Sequence, residues 1–366
     1  MRTPGRRSVR TFCATLALVV AVTAVAAFSR EAPPPSADAA ATLDRAPSSP
    51  AAMAATLDQD ASSPTATHAH DNDQILRGRA LVLEHACSGC HGGTLDPADE
   101  RWMIGVNSPG QEFPIGPCGA GGDTQCFRTR PRNLTPDNTT GMGRFSERQI
   151  FNSLRFGLRP GETADVEITS TTPGVGNFPE NPKYLAPPMP WPAWRHMPDE
   201  DLWAIAAYLK HGVKPVNHRV ADSDGPPDFW ASVYTEENMG AYPAPPFPTA
   251  NEVEPPAALR EQVLRGRHVV LQHDCGSCHG GWANPAAEGW LAGANEAVPP
   301  IPFGACLVDP QATPCFRTYP QNLTPHETTG TGRYTEQQIF NALRSGLKPE
   351  FAPDARIATN GAHFPS

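Results

Sequence analysis

Two short stretches of the chain carry the same reactive residues in the same order. Each places two cysteines three residues apart and a histidine directly after the second, as CSGCH at 87–91 and CGSCH at 275–279. Cysteines spaced in this way lie on one helical turn, so both thiols can form thioethers to the vinyl groups of one porphyrin. The histidine then lies under the iron, and the pattern is the attachment motif of haem c. We therefore predict two covalent haems c per chain. The predicted attachment residues are Cys87, Cys90, Cys275 and Cys278, and the predicted axial histidines are His91 and His279.

Zinc binding and dithiol chemistry are the alternatives for such cysteine pairs. A structural zinc site needs four ligands, usually two pairs that lie close together. Here the pairs are 188 residues apart, counted from Cys87 to Cys275, and each belongs to a different repeat. A thioredoxin-like dithiol requires a βαβ context, which the sequence does not indicate. The histidine at both sites therefore favours haem.

The sixth ligand of a haem iron tunes its redox character, because methionine raises the reduction potential and histidine lowers it. Met189 lies in the loop YLAPPMPWPAW, whose prolines restrict the backbone and can present a thioether to a fixed metal. We predict Met189 as the sixth ligand of the first haem. The remaining methionines after His91 are interpreted as packing residues: Met103, Met142, Met197 and Met239.

The second haem has no methionine of this kind in the sequence. No methionine follows Met239, and alignment of Phe178-Pro179 with Phe364-Pro365 places the counterpart of Met189 about nine residues beyond the last residue. We expect the sequence to be incomplete at this end. Otherwise the second haem is five-coordinate, bound by water, or bound by His363 or His326.

The motifs recur because a whole module recurs. Residues 76–93 match 264–281 at 12 of 18 positions, and residues 126–160 match 315–349 at 24 of 35 positions. Two separate blocks at similar offsets indicate tandem duplication of one domain. We call the two copies repeat 1 and repeat 2. Other residues shared by both repeats have more modest expected roles. His85 and His273 are expected to be structural or to hydrogen-bond near the haem, and Arg128 and Arg317 to pair with a propionate or to be solvated.

The elements that position these residues are predicted to be helical. An apolar face over residues 75–83 indicates a helix that ends at the first cysteine pair. Ser146 can cap a second helix that Gly157 stops, and Pro198 can open a third that runs to Gly212. No convincing alternating strand pattern is present. The predicted fold class is all-α, with two tandem cytochrome c-like domains joined by long proline- and glycine-rich loops, the second C-terminally incomplete.

The ends and connections of the chain suggest an exported protein. Residues 1–10 carry four arginines, an apolar stretch follows at 11–28, and small residues come next, which is the order of a secretory signal. An uncleaved membrane anchor is the alternative, because 18 apolar residues approach a spanning length. The predicted division of the chain is a signal or anchor at 1–39, a disordered linker at 40–70, domain 1 at 71–218, a proline-rich linker at 219–256 and domain 2 at 257–366.

Composition restricts the partners. The formal net charge is −9, so the chain lacks the basic surface expected of a nucleic-acid-binding protein. The 42 prolines indicate long irregular connections, and we expect the connector at 214–256 to be extended and fairly stiff.

The longer motifs resemble a known family. The segments RGRALV before CSGCH, NLTPDNTTGMGRFSERQI, and PPMPWPAWRHMPDEDLWAIAAYL resemble tandem class I cytochrome c modules, over most of 74–215 and 262–366. More closely, they resemble the cytochrome c subunits of bacterial periplasmic alcohol and gluconate dehydrogenases. The resemblance implies an all-α fold with a methionine-bearing loop before the last helix, and so supports Met189. The chain departs from that family in having two haem motifs where three are common.

A further pair of cysteines in each repeat departs from the family as well. Cysteines of an exported protein are commonly committed to bonds, and eight of the nine cysteines lie after the signal. We predict the disulfides Cys118–Cys126 and Cys306–Cys315. The alternative, a second metal site, lacks histidine or carboxylate partners at consistent spacing.

Two functions are compatible with these features. The first is a dihaem cytochrome c that carries electrons in the periplasm from a dehydrogenase toward a terminal oxidase or another cytochrome, without bond-making catalysis of its own. The second is an enzyme, a dihaem peroxidase that uses an open second iron. That alternative requires the second haem to lack a methionine and requires an acid or amide above the iron, for which the sequence offers no clear candidate.

Overall fold

The computed structural model describes the chain from residue 72 onward, with gaps. The described residues are 72–93, 95–106, 112–115, 126–187, 189–225, 227–293, 301–304, 313 and 315–357. The predictions of a signal or anchor at 1–39 and a linker at 40–70 lie outside them. Cys118, Cys306 and His363 also lie outside.

The described residues are mostly helical. The helices are α1 (Asn72–Glu84), α2 (Cys87–His91), α3 (Glu147–Phe156), α4 (Trp191–Trp194), α5 (Asp199–Ala207), α6 (Glu236–Met239), α7 (Arg260–Gln272), α8 (Cys275–His279) and α9 (Glu336–Ser345). The strands are β1 (Phe113–Ile115), β2 (Phe127–Thr129), β3 (Ile301–Gly304) and β4 (Cys315–Thr318). Among these, α1, α2, the β1–β2 ribbon and α3 recur in the same order as α7, α8, β3–β4 and α9.

The predicted helix termini are present in the structure. The Ser146 hydroxyl accepts a hydrogen bond from the Gln149 backbone N–H, and the Gln149 side chain accepts one from the Ser146 N–H, which forms a capping box at the start of α3. Gly157 ends α3 in the left-handed conformation, with φ 69°. Pro198 opens α5, and the helical path continues through a wider turn at Tyr208–Gly212. Local sequence signals therefore placed these ends correctly.

The core of repeat 1 forms where α1 crosses α5. Gly78 permits the crossing, because a Cβ atom there would collide with the backbone carbonyl of Ala204. Leu202 and Ile205 of α5 and Ile150 of α3 are buried in the same cluster. At one end of the contact, the Arg77 guanidinium pairs with the Asp201 carboxylate. The third helix predicted from sequence thus closes the repeat 1 core.

The equivalent faces of repeat 2 are exposed in the described residues. Leu154 of α3 is 8% exposed, whereas its counterpart Leu343 of α9 is 86% exposed. A Cβ at Gly266, the counterpart of Gly78, would meet nothing within 4 Å. The difference arises because α5 covers these positions in repeat 1, and the described part of repeat 2 contains no equivalent helix.

Two short β-ribbons were not predicted. In each repeat an antiparallel pair forms in the loop after the cysteine–histidine motif, with Phe113 opposite Thr129 in one and Ile301 opposite Thr318 in the other. Strands of three or four residues are too short to show an alternating pattern in the sequence. The expectation of a chain without strands was therefore wrong at these two places, although the fold remains predominantly α-helical.

The proline-rich connector folds back on repeat 1, whereas its composition predicted an extended spacer. Trp230, Tyr234 and Met239 of the connector form a second buried cluster with Phe127 and Trp191 of repeat 1. These large side chains remove apolar surface from water, which stabilises the contact. The connector is thus part of the core around repeat 1. In the described part of the chain, no helix combines the length and apolar character needed to cross a bilayer.

Candidate functional site

The first motif forms a separate short helix with a sharp turn at each end. Ala86, immediately before α2, has φ 49°, and Gly92, immediately after it, has φ 95°. A Cβ at Gly92 would lie 2.9 Å from the carbonyl oxygen of Gly105, so glycine allows the following loop to pass close by. The helix places Cys87 and Cys90 one turn apart, as the motif requires, and His91 is its last residue.

Two backbone contacts hold His91. Its ring Nδ1 lies 2.7 Å from the carbonyl oxygen of Arg132, and its own carbonyl accepts a hydrogen bond from the Gly105 N–H at 2.7 Å. A carbonyl can only accept, so Nδ1 carries the proton and Nε2 of the neutral ring keeps its lone pair. Burial lowers the pKa of His91, which favours this neutral form. An imidazole held in this tautomer is ready to ligate a metal through Nε2.

The second motif repeats this geometry. His279 Nδ1 lies 2.7 Å from the carbonyl oxygen of Gln321, and the His279 carbonyl accepts from the Gly293 N–H at 2.8 Å. Asp274 precedes α8 with φ 56° and Gly280 follows it with φ 99°. The backbone partners of the two histidines occupy equivalent places after each motif. Sequence reasoning missed them, since a carbonyl acceptor can belong to any residue; only the duplication of the NLTP block hinted at that region.

The four cysteines of the motifs form no disulfide bond in the structure. Burial, followed by the nearby Cys90, raises the pKa of Cys87 to about 12. Burial and then the Asp274 carboxylate raise the pKa of Cys275 and of Cys278. Catalytic dithiols show the opposite shift, toward a lower pKa. Across the described residues, no cluster of three or more His, Cys, Asp or Glu side chains is arranged to hold a metal ion.

Met189 belongs to the periphery of the repeat 1 core. Met189 and Cys87 are both partly buried, and both pack against the core cluster of repeat 1. The other methionines after His91 are buried more deeply, with exposed fractions of 0% to 8%: Met103, Met142, Met197 and Met239. Those four methionines are core residues, whereas Met189 is partly accessible in its proline-rich loop.

Several other repeated residues have structural roles. Asn133 donates to the backbone carbonyls of Val216 at 2.9 Å and His218 at 3.2 Å, which fastens the NLTP loop to the connector. His326, weighed above as a ligand of the second haem, accepts at Nδ1 from the Thr328 and Thr329 backbone N–H groups, each at 3.3 Å. Its ring thus caps a loop, in the same way that Asp137 does in repeat 1.

The predicted disulfides are only partly within the described residues. Cys126 and Cys315 are both disulfide-bonded. Their predicted partners, Cys118 and Cys306, lie outside, so the two pairings remain predictions. Arg128 and Arg317, next to these cysteines on β2 and β4, are exposed.

The two motifs are brought together by the histidines that precede them. The rings of His85 and His273 stack with centroids 4.7 Å apart and planes inclined by 21°. His273 Nε2 also lies 3.1 Å from the Glu84 carboxylate. Each histidine is two residues before the first cysteine of its motif, so the two attachment helices flank this contact. Sequence reasoning expected structural or hydrogen-bonding roles for these histidines but gave no sign that they meet.

The residues present fit haem c. Each short helix supplies two thiols one turn apart and an imidazole whose Nδ1 is held by a backbone carbonyl, which leaves Nε2 for a metal. Three curated relatives carry a corresponding description. The chain is 27% identical over 215 residues to "Alcohol dehydrogenase (quinone), cytochrome c subunit" of Gluconacetobacter polyoxogenes, covering 58% of this chain and 39% of the relative.

The other two relatives belong to different dehydrogenases. The "Gluconate 2-dehydrogenase cytochrome c subunit" of Pantoea cypripedii is 26% identical over 233 residues, covering 58% of this chain and 42% of the relative. The "Fructose dehydrogenase cytochrome subunit" of Gluconobacter japonicus is 23% identical over 279 residues, covering 74% and 45%.

The chain resembles dehydrogenase cytochrome c subunits. It spans less than half the length of the curated relatives that it matches. No family model matches the chain. The resemblance stated from the motifs is therefore confirmed by independent relatives, and these cytochrome c subunits imply haem c as the cofactor.

Proposed function

We propose that the chain is a dihaem cytochrome c that transfers electrons in the periplasm, as a subunit or partner of a dehydrogenase. The observation that carries the proposal is the histidine geometry, in which a backbone carbonyl holds Nδ1–H and leaves Nε2 for iron at both motifs. When bound, haem c supplies a one-electron iron couple. The motif cysteines would attach it, and the carbonyls of Arg132 and Gln321 would orient the histidines that bind it.

The residues around the first site suit a carrier that undergoes little rearrangement. His91 is 9% exposed and held by two backbone contacts, so its ring has little freedom to move when the charge of the site changes. The capped helix α3 and the buried helix α5 form the wall of the same core. A rigid, buried site reduces the reorganisation that accompanies transfer of an electron. Met189 is the proposed sixth ligand, and its thioether would favour the reduced iron.

The junction between the repeats supports transfer within the chain. The stacked rings of His85 and His273 lie between α2 and α8, so the two attachment sites approach one another across a direct contact. Trp194 packs edge-on against His85, with centroids 5.9 Å apart. We infer that Cys87, Cys90 and His91 would hold one haem on one side of this junction and Cys275, Cys278 and His279 the other, and that the pair would supply one-electron exchange within the chain.

The partners follow from the relatives, whose names place them in alcohol, gluconate and fructose dehydrogenases. A dehydrogenase of this kind is the proposed electron donor, and a terminal oxidase or another cytochrome is the proposed acceptor. Export to the periplasm is part of the proposal, and the arginine-rich and apolar start of the sequence supports it.

The test is the haem stoichiometry of the chain, expressed in a host that matures c-type cytochromes. We expect two haems c per chain by alkaline pyridine spectroscopy, and both should resist extraction from the denatured protein. The double variant Cys87→Ala/Cys90→Ala should retain one haem, and so should Cys275→Ala/Cys278→Ala. In contrast, the variant His326→Ala should retain two haems, because that ring caps a loop. A chain without covalent haem would overturn the proposal.

A second measurement separates the carrier from the peroxidase. The carrier should be reduced by a quinone-dependent dehydrogenase and reoxidised by an acceptor, with negligible turnover of hydrogen peroxide. Rapid peroxide turnover by the two-haem protein would instead support the enzyme.

A further inference from the structure

A cavity lies where repeat 1, the connector and repeat 2 meet, apart from both cysteine–histidine motifs. Its volume is about 410 Å³, which is large enough for a small ligand, and such sites commonly lie between domains. Repeat 1 contributes the segment 195–199 and one residue of α3, the connector contributes 242–244, and α7 of repeat 2 forms the opposite wall. Six of its lining side chains are polar and can bind an anion or orient one: Arg155, Arg195, His196, Tyr242, Arg267 and His268.

The lining charges are predominantly positive. Asp199 is the one carboxylate of the lining, and it is mostly exposed and pairs with Arg155. Arg267 pairs with Glu252 at 2.6 Å, just outside the lining. The start of α5, at Pro198 and Asp199, also faces the cavity, and the positive end of a helix dipole favours anions. The cavity therefore has an excess of cationic and hydrogen-bond-donating groups.

Arg195 is the most informative of these groups. It is 5% exposed, and its terminal nitrogen donates to the Met239 and Gly240 carbonyls, while its Nε is buried without a hydrogen-bond partner. Within the described residues, no carboxylate forms an ion pair with it. Burial lowers its pKa to about 10, which reflects a charge without full compensation. A buried guanidinium is normally paired, because an unpaired one is costly.

The adjacent residue, His196, also has a nitrogen without a hydrogen-bond partner, because its Nε2 is buried and unpaired. Burial, and after it the positive charges of Arg195, Arg155, His268 and Arg267, together lower the pKa of His196 to about 3. The charged neighbours with the largest effect on this ring are thus cationic. Two consecutive lining residues thus lie in surroundings whose positive charge is incompletely compensated within the described residues, which favours an anion in the cavity.

We propose that this cavity binds one small oxyanion, a carboxylate or phosphate group, between Arg195 and His196 of repeat 1 and Arg267 and His268 of repeat 2. Planar guanidinium groups match the oxygens of carboxylate and phosphate, and charge-assisted hydrogen bonds to them are strong. A negative charge in the cavity would offset the charge of Arg195, which no ion pair within the described residues compensates. Because the partners of the oxyanion lie on both repeats, it would also hold the junction at which His85 meets His273.

The experiment measures anion binding to the full-length haem-loaded chain by calorimetry, and so needs no electron-transfer activity. Inorganic phosphate and succinate are titrated separately, with chloride used to fix the ionic strength. We expect one saturable site per chain, and tighter binding of one probe assigns its oxyanion class. The variant His268→Gln replaces a half-buried lining residue and should weaken binding about tenfold. The variant Arg267→Gln should weaken it at least as much.

A matched control lies on the same helix. Arg265 of α7 pairs with Glu261 and does not line the cavity, so Arg265→Gln removes the same charge at a neighbouring position. It should change affinity by less than twofold. If neither phosphate nor succinate shows saturable binding, the cavity does not bind an oxyanion. If Arg265→Gln and Arg267→Gln lose equal affinity, the anion is attracted by diffuse charge and not by the lining. Either result overturns the proposal, and unfolding midpoints verify that each variant folds.

Discussion

At the scale of single residues, the two histidines of the motifs are oriented by the same kind of contact. In each repeat a backbone carbonyl from the loop after the β-ribbon receives the Nδ1 proton, from Arg132 in one case and Gln321 in the other. The acceptor is main chain, so its position depends on the path of the loop and not on a side chain. The two sites should therefore orient their histidines in the same way.

The sixth ligand of the first site can be tested by replacing its sulfur. We expect Met189→His to lower the reduction potential of one haem by on the order of 0.1 V or more, since axial ligands span about 0.8 V among haem proteins. The measurement is a spectroelectrochemical titration. The control is Met197→Leu, at a core methionine that is 2% exposed, which should leave both potentials nearly unchanged. An unaltered potential in Met189→His would assign the sixth ligand elsewhere.

At the scale of elements, the crossing of α1 and α5 distinguishes the two repeats. Gly78 faces the backbone of α5 without room for a methyl group, whereas Gly266 on α7 faces open space. The same three residues, RGR, therefore lie at a tight helix crossing in repeat 1 and on an uncovered helix face in the described part of repeat 2. The α1–α5 crossing therefore requires a residue without a Cβ atom at position 78.

A pair of identical substitutions tests this difference. Gly78→Ala should lower the free energy of unfolding by about 1–3 kcal/mol, because the added methyl group overpacks the crossing. Gly266→Ala should raise it by up to about 1 kcal/mol, because alanine favours a helix and meets no neighbour. Urea titrations followed by far-ultraviolet circular dichroism measure both changes. Equal effects of the two substitutions would argue against the α1–α5 crossing.

At the scale of the whole molecule, the repeats are joined through equivalent residues. His85 stacks on His273, Glu84 contacts the same ring, and Trp194 packs against His85 from the other side. The connector adds Trp230 and Tyr234 to a cluster with repeat 1. These contacts fix the two attachment helices next to one another, which the proposed transfer between them requires.

The histidine stack can be measured by a double-mutant cycle. His85→Ala and His273→Ala, alone and combined, should show a coupling free energy of about 0.5–1.5 kcal/mol in the unfolding free energy, as for other ring pairs. His85→Ala combined with His326→Ala serves as the control, because His326 caps a separate exposed loop. That pair should be additive within about 0.3–0.5 kcal/mol. Additive behaviour of His85 and His273 would show that the stack does not join the repeats.

The sequence by itself determined the features that depend on neighbours along the chain. The spacing of Cys87, Cys90 and His91 follows from one helical turn, and the capping box of Ser146 and Gln149 follows from four consecutive residues. Duplication was visible as identity between the repeats. The relatives confirm the resemblance to cytochrome c subunits that these local motifs indicated.

Only the tertiary structure decided what distant residues do together. The carbonyl that orients His91 comes from Arg132, the connector packs through Trp230, and the stack joins residues 188 apart, from His85 to His273. The short β-ribbons and the cationic cavity at Arg195 also depend on segments that meet only in the folded chain. Periodicity and spacing describe one element at a time, whereas these contacts are selected by the packing of several elements against one another.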